Sequence, residues 1–171
     1  MQPFINAPFD SRSLRRMLGS FATGVTIVTT RSAEGIAVGM TASSFNTVSL
    51  DPALVLWSVA RSSSCCALFE QAEHWAIHVL TDEQRAISDR FASSAPDRFD
   101  GLRVTSGVGD LPLLDHCLGV LQCERYAAYD GGDHVILVGR VLAFQQRDGA
   151  PLVFHGGRYA RLSVEQPAAA A

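Results

Sequence analysis

Lysine is missing from this chain: all 14 of its basic residues are arginine. That excludes a phosphate-binding loop built around a lysine, and it excludes Schiff-base chemistry, pyridoxal attachment included. The patterns GxGxxG, GxSxG and HExxH are also missing, so the usual dinucleotide fingerprint, hydrolase elbow and zinc-protease helix are ruled out. The cysteines, Cys65, Cys66, Cys117 and Cys123, form no CxxC pair, which argues against a zinc knuckle or a thioredoxin-type centre. Adjacent Cys65 and Cys66 are poorly placed to bridge each other, and reduced thiols are expected in a reducing compartment. Charge is scarce too. Charged residues make up 18% of the chain, and the net charge is −3. There is no basic stripe to displace counterions from nucleic acid, and no polybasic run for an anionic membrane. The longest apolar runs, LVLW (54–57) and VILV (135–138), fall far short of the roughly 20 residues that span a bilayer. The opening MQPFINAPFD lacks the basic and then apolar pattern of a secretory leader, so the expected location is the cytoplasm.

What is present fits one domain. The chain has 171 residues; a single domain over 1–164 is expected, followed by a disordered tail, EQPAAAA (165–171). SRSLRRMLGSF (11–21) reads as an opening helix capped by Asp10 or Ser11, with Leu14, Met17, Leu18 and Phe21 on one face. GVTIVTT (24–30) is dense in β-branched residues and predicts a strand. SAEG (32–35) is a turn, and 36–50 reads as one strand with a relaxed second half that stops at Asp51-Pro52. ALVLWSVA (53–60) is apolar on both faces and predicts a strand covered on both.

RSSSCCALFEQAE (61–73) leads through Ser62–Ser64 into a short helix, and WAIHVL (75–80) is a strand. Thr81 with Gln84 forms a capping box that opens a helix over 81–94, with Ile87 and Phe91 inward. Residues 95–116 read as loop. Two long strands, 117–130 and 134–146, flank the turn Gly131-Gly132-Asp133, and Gly139 marks a bulge or close contact. One or two short strands over 151–163 complete the pattern. Strands dominate, without regular βαβ alternation or an internal repeat. The expected fold class is mainly β with short α inserts, an antiparallel barrel.

GMTASSF (39–45) stands out. It is too small to build a core and too long for a tight turn. Taken in order, GVTIVTT, GMTASSF, SLDP, RSSS, GGDH and a late Gly-Arg-Tyr resemble the flavin reductase-like, FMN-binding split-barrel family, over about residues 12–162. That family includes the small reductase components of two-component aromatic monooxygenases. The resemblance implies a homodimer of Greek-key split β-barrels, FMN or FAD near the subunit interface, and hydride transfer to flavin N5 from NADH or NADPH. It also implies a separate oxygenase partner that receives the reduced flavin. A flat ring rimmed with donors and acceptors needs small neighbours and hydroxyls. On this resemblance Met40, Thr41, Ala42, Ser43, Ser44 and Phe45 are expected to cradle the ring, with Ser58 beside them.

The resemblance also places Arg61, Ser62 and Ser64 at the flavin phosphate, where a helix start and hydroxyls favour an anion. Arg98 and Phe99, in the loop after the second helix, are implied at the ribityl phosphate or adenine end. His134 is expected to position the nicotinamide rather than act as an acid or base, and Tyr159 to shape the pocket edge. Where this family often carries Asn in the motif resembling WAIHVL, the chain has His78. Other readings that this pattern leaves open are a flavin storage or sensing module, and a split-barrel reductase of another substrate such as a cobalt corrin.

Overall fold

A computed structural model of the chain describes residues 4–5, 7–8 and 10–163. The expected tail over 165–171 lies outside the described residues. The chain opens with α1 (Ser11–Leu18), where the Asp10 carboxylate accepts from the Ser13 N–H at 2.8 Å and the Gly19 N–H closes the far end on Arg15 O. This helix is three residues shorter at its end than the sequence predicts, and no residue in it is buried. Leu14, Met17, Leu18 and Phe21 do share a face, but that face points to solvent.

The strands follow: β1 (Thr23–Gly24), β2 (Thr26–Arg31), β3 (Ala37–Ala42), β4 (Asn46–Leu50) and β5 (Ala53–Ala60). After α2 (Cys66–Gln71) come β6 (His74–Val79), a 3-10 turn and α3 (Arg85–Ala92). The Thr81–Gln84 capping box is present in both directions. Next lie β7 (Val104–Ser106), β8 (Pro112–Leu114), the long pair β9 (Gly119–Gly131) and β10 (His134–Gln146), then β11 (Val153–His155) and β12 (Arg158–Ala160). The region 95–116, expected as loop, contains the β7–β8 hairpin; its strands are too short to show a period. The register of β9 and β10 shifts between Val138 and Gly139. A side chain at Gly139 would lie 2.9 Å from the Cys123 Cβ and 3.0 Å from the Trp75 ring, so the backbones can meet there only through glycine.

Seven strands form one antiparallel sheet in the order β3-β2-β6-β9-β10-β5-β4. The stretch 36–50 is therefore two strands rather than one, and they sit at opposite margins of the sheet. The chain crosses from one margin to the other through Ser43, Ser44 and Phe45, which requires the sheet to curl until its margins meet. At the meeting point the Ser44 hydroxyl accepts from the Ser58 N–H at 2.9 Å and donates to the Ser58 carbonyl at 3.1 Å. One side chain replaces a rung of ladder where the barrel is split.

The core follows the two-residue period of the strands. Val28, Trp57, Val59, Trp75, Ile77, Cys123 and Leu137 fill the barrel with Phe69 of α2. Trp57 meets Phe69 edge-on, with centroids 4.8 Å apart, and Trp75 at 6.4 Å. The alternate residues Ile27, Ala76 and Val120 face outward into a second cluster with Leu80, Phe91, Leu111, Leu114 and Leu152. Two such clusters explain why β2 and β6 are buried on both faces. β5 is expected to match them, but beyond Leu54 its burial alternates: Val55, Trp57 and Val59 are buried, while Leu56, Ser58 and Ala60 stay partly open.

Candidate active site

Strand β3 is a sheet margin, and the cavities of interest run along it. Near its start a cleft of about 580 Å³ is lined by Gly39, Ser64, Cys65, Asp97, Arg98 and Phe99, among others. Beyond its end a smaller cleft of about 170 Å³ is lined by Val25, Thr41, Ser43, Ser88, Phe154 and Tyr159, with Ala92. The predicted site residues therefore separate into groups.

In the larger cleft, Arg98 Nη1 donates to Gly39 O at 2.7 Å and lies 3.7 Å from Cys65 Sγ. Its Nε–H is buried with no acceptor among the described residues. A buried unpaired donor costs about 1–3 kcal/mol, which an anionic ligand oxygen would recover. Phe99 packs edge-on against Phe91, centroids 5.0 Å apart. Gly39 makes this possible, because a Cβ there would lie 2.6 Å from the Phe91 ring. Ser64 also faces this cleft. Ser62 is exposed, and the helix expected to begin in the serine run begins at Cys66 without a side-chain cap. The reason is local: the Ser63 hydroxyl accepts from the Cys65 N–H at 3.3 Å and the Ser63 carbonyl from the Cys66 N–H at 3.0 Å, making a turn of the serines.

In the smaller cleft, Thr41 Oγ1 donates to Ser88 O at 2.7 Å. The Tyr159 hydroxyl lies 2.9 Å from Ser88 Oγ and 2.8 Å from Asp89 Oδ1. Burial pushes the Tyr159 phenol above its ordinary range. Ser43 is exposed at the rim. The rest of GMTASSF serves the barrel: Ala42 is buried, Met40 and Phe45 pack on the inner core, and both hydrogen bonds of Ser44 go to Ser58.

A further group gathers at the β9–β10 turn. Arg61 donates to Asp130 at 2.7 Å and to Gly132 O at 3.0 Å, while its backbone N–H reaches Asp133 O. His134, the first residue of β10, pairs with Ala60 and sits with Nδ1 2.7 Å from Asp133 Oδ1. Hydrogen bonds from Arg61 and His134 hold Asp130 and Asp133, respectively, below the usual carboxylate range. Neither Arg61 nor His134 lines either cleft.

The chain matches the flavin reductase like domain model over residues 18–163. It belongs to that family. It is 47% identical over 160 residues to the FMN reductase (NADH) SmoA of Agrobacterium fabrum, covering 94% of this chain and 91% of that protein. It is 36% identical over 158 residues to the flavin-dependent monooxygenase reductase subunit HsaB of Rhodococcus jostii, covering 92% and 80%. In structure it resembles the Streptomyces globisporus C-1027 NADH:FAD oxidoreductase SgcE6 in complex with NAD and FAD fragments, at TM-score 0.89 and 32% identity, covering 96% and 100%. The family's split barrel is the architecture described above. Among the described residues no helix is long and apolar enough to cross a membrane.

Sequence reasoning missed two residues that line these clefts. Gly39 stood in the quoted motif, but its need for close approach depends on Phe91 and Phe99, distant in sequence. Ser88 carried a readable signal: Gln84, Ser88 and Phe91 share a helix face, and a serine on a buried face requires a partner.

Proposed function

We propose that the protein is an NAD(P)H:flavin oxidoreductase that reduces FMN or FAD and supplies the reduced flavin to a separate monooxygenase. The reading draws on the relatives' activities and on one observation in this chain: the Arg98 N–H without an acceptor in the wall of the cleft along β3. A cleft of about 580 Å³ with a cationic fork, a hydroxyl and an aromatic ring suits the phosphate-bearing end of a flavin. The residues present fit that group.

When bound, flavin supplies a ring that accepts a hydride from reduced nicotinamide. The chain's own residues supply orientation, which such a transfer needs more than it needs a protein acid. Arg98 and Ser64 hold the phosphate end. The exposed Ser43, the Thr41 hydroxyl and Tyr159 bound the place of the ring, against the backbone of Ala42 and Ser44. His134, held by Asp133, positions the nicotinamide, and Arg61 with Ser62 and Ser58 shapes the approach to it.

Residues 1–164 act as one domain in this reading, in the cytoplasm, and the active form is a homodimer. Support for the dimer comes from apolar side chains open to solvent: Met17, Leu18 and Phe21 around α1, Leu50 on the margin strand β4 (96% exposed) and Phe144 on β10 (75%). A single surface rarely leaves so many uncovered.

Purified protein is mixed with NADH or NADPH and with FMN or FAD, and absorbance at 340 nm is followed. Flavin-dependent oxidation of either nucleotide is expected; none with any pairing defeats the reading. Sedimentation tests the dimer, which a monomer at micromolar concentration would refute.

A further inference from the structure

Ser88 lies at a junction of elements that are far apart in the chain. It is fully buried near the middle of α3. Its carbonyl accepts from Thr41 of β3, 47 residues away, and its hydroxyl meets Tyr159 of β12, 71 residues away. The Tyr159 phenol has a single proton and two neighbours, Ser88 Oγ at 2.9 Å and Asp89 Oδ1 at 2.8 Å. The carboxylate is the stronger acceptor and takes that proton. The Ser88 hydroxyl is then free to donate to the phenol oxygen.

The ring of Tyr159 is gripped as well. Arg85 Cζ sits 5.0 Å over it, and Phe154 meets it edge-on at 5.6 Å. A buried serine on a packed helix face is costly unless its hydroxyl is used. Thr41, Tyr159 and Ser88 all line the 170 Å³ cleft at the end of β3. Thr41 and Tyr159 are each tied to Ser88.

We propose that Ser88 is a positioning residue: through its carbonyl to Thr41 and its hydroxyl to Tyr159 it fixes the side chains that bound the place of the flavin ring, and so the ring's alignment for hydride transfer. This rests on the flavin reductase reading. The distance between reacting groups sets the rate steeply, so loss of the ties acts on turnover. Arg98 and Ser64 hold the phosphate at the other end of β3, so flavin affinity is left nearly intact.

The test is steady-state kinetics with NADH, NADPH and FMN on wild type, Ser88→Ala, Tyr159→Phe and the double variant. Each single variant is expected to lower kcat about tenfold, with the KM for FMN within twofold. The double variant is expected to fall no further than Tyr159→Phe, because Tyr159→Phe already removes the Ser88–Tyr159 bond along with the bond to Asp89, while the Thr41 bond to the carbonyl of residue 88 survives in all three. Singles within twofold of wild type overturn the proposal. So does a double variant about a hundredfold down, since the effects are then independent, and so does a raised KM for FMN at unchanged kcat, the mark of general loosening. Should Ser88→Ala fail to fold, Thr41→Val and Tyr159→Phe replace it: they remove different ties to Ser88, so each single is expected to lower kcat about tenfold with the KM for FMN within twofold, the double is expected to fall below either single, and singles within twofold of wild type overturn the proposal. A wild type that shows no flavin-dependent oxidation of either nucleotide overturns the functional reading and this proposal together; an active wild type with unaffected variants overturns this proposal alone.

Discussion

His78 makes the stability of this barrel depend on pH in a window set by one side chain. The ring is fully buried, with Nδ1 3.0 Å from Ile27 O and Nε2 3.1 Å from the Leu114 nitrogen. The Leu114 N–H can only donate, so Nε2 is the acceptor, and the proton sits on Nδ1 and donates to Ile27. The imidazole is thereby held neutral, bridging β2, β6 and β8. Burial lowers its pKa from 6.5 to about 4, with the Ile27 hydrogen bond opposing weakly. In the unfolded chain it protonates near 6.5, so below that pH the unfolded state binds more protons. Stability from this group is complete above about 6.5 and is lost as pH falls towards 4. The loss is on the order of 1 kcal/mol at pH 5.5 and roughly 2–3 kcal/mol at pH 4.5. Against a total of about 5–15 kcal/mol for a domain, that is a large share.

The perturbation is His78→Asn, which keeps a donor and an acceptor but cannot be protonated. Urea denaturation at pH 7.5, 6.5, 5.5 and 4.5, read by the fluorescence of buried Trp57 and Trp75, gives both stabilities. Other titrating groups are common to both proteins and cancel in the difference. The variant is expected to be weaker at pH 7.5, because an amide spans less than an imidazole. Its deficit is expected to shrink by roughly 2–3 kcal/mol by pH 4.5. A deficit that stays constant across the series would refute the reasoning.

Gly39→Ala should cost about 1–3 kcal/mol in a thermal or urea melt, because the new methyl meets the Phe91 ring at 2.6 Å; an unchanged melting temperature would show that the Phe91–Phe99 pair moves freely. Arg98→Met should weaken FMN binding at least tenfold in a fluorescence titration while the fold holds, since the unpaired Nε–H is removed with the charge; unchanged binding would place the phosphate elsewhere. Burial pushes the Cys117 thiol up to about 11 and Cys123 to about 12, so neither should react with a disulfide reagent at pH 8 until the protein is unfolded. Labelling of these two residues in the native protein within minutes would contradict that burial.

Much of the fold could be read because its causes are local. The Thr81–Gln84 box and the turn at 131–133 each follow from backbone chemistry within a few residues. The β-branched density of β2 marked a strand for the same reason. The family was legible in the order of short motifs. Individual roles were less so. Ser44 looked like part of a ring cradle, yet its hydroxyl is engaged by Ser58, because the curl of the sheet brings those residues together.

Local pattern states that a face is buried or a turn is tight, but not what lies opposite. The face of α1 was visible as a stripe of Leu14, Met17, Leu18 and Phe21, while its exposure emerges only once the rest of the chain is placed. Arg98 reaches Gly39 across 59 residues, and Ser88 joins Thr41 to Tyr159 across β3, α3 and β12. By itself the sequence determined the strands, the turns and the family; the closing of the sheet determined which side chains share a cleft. The reason is that hydrophobic periodicity and turn chemistry act over a few residues, whereas a hydrogen bond between distant strands exists only after the chain has paid the entropy of bringing them together.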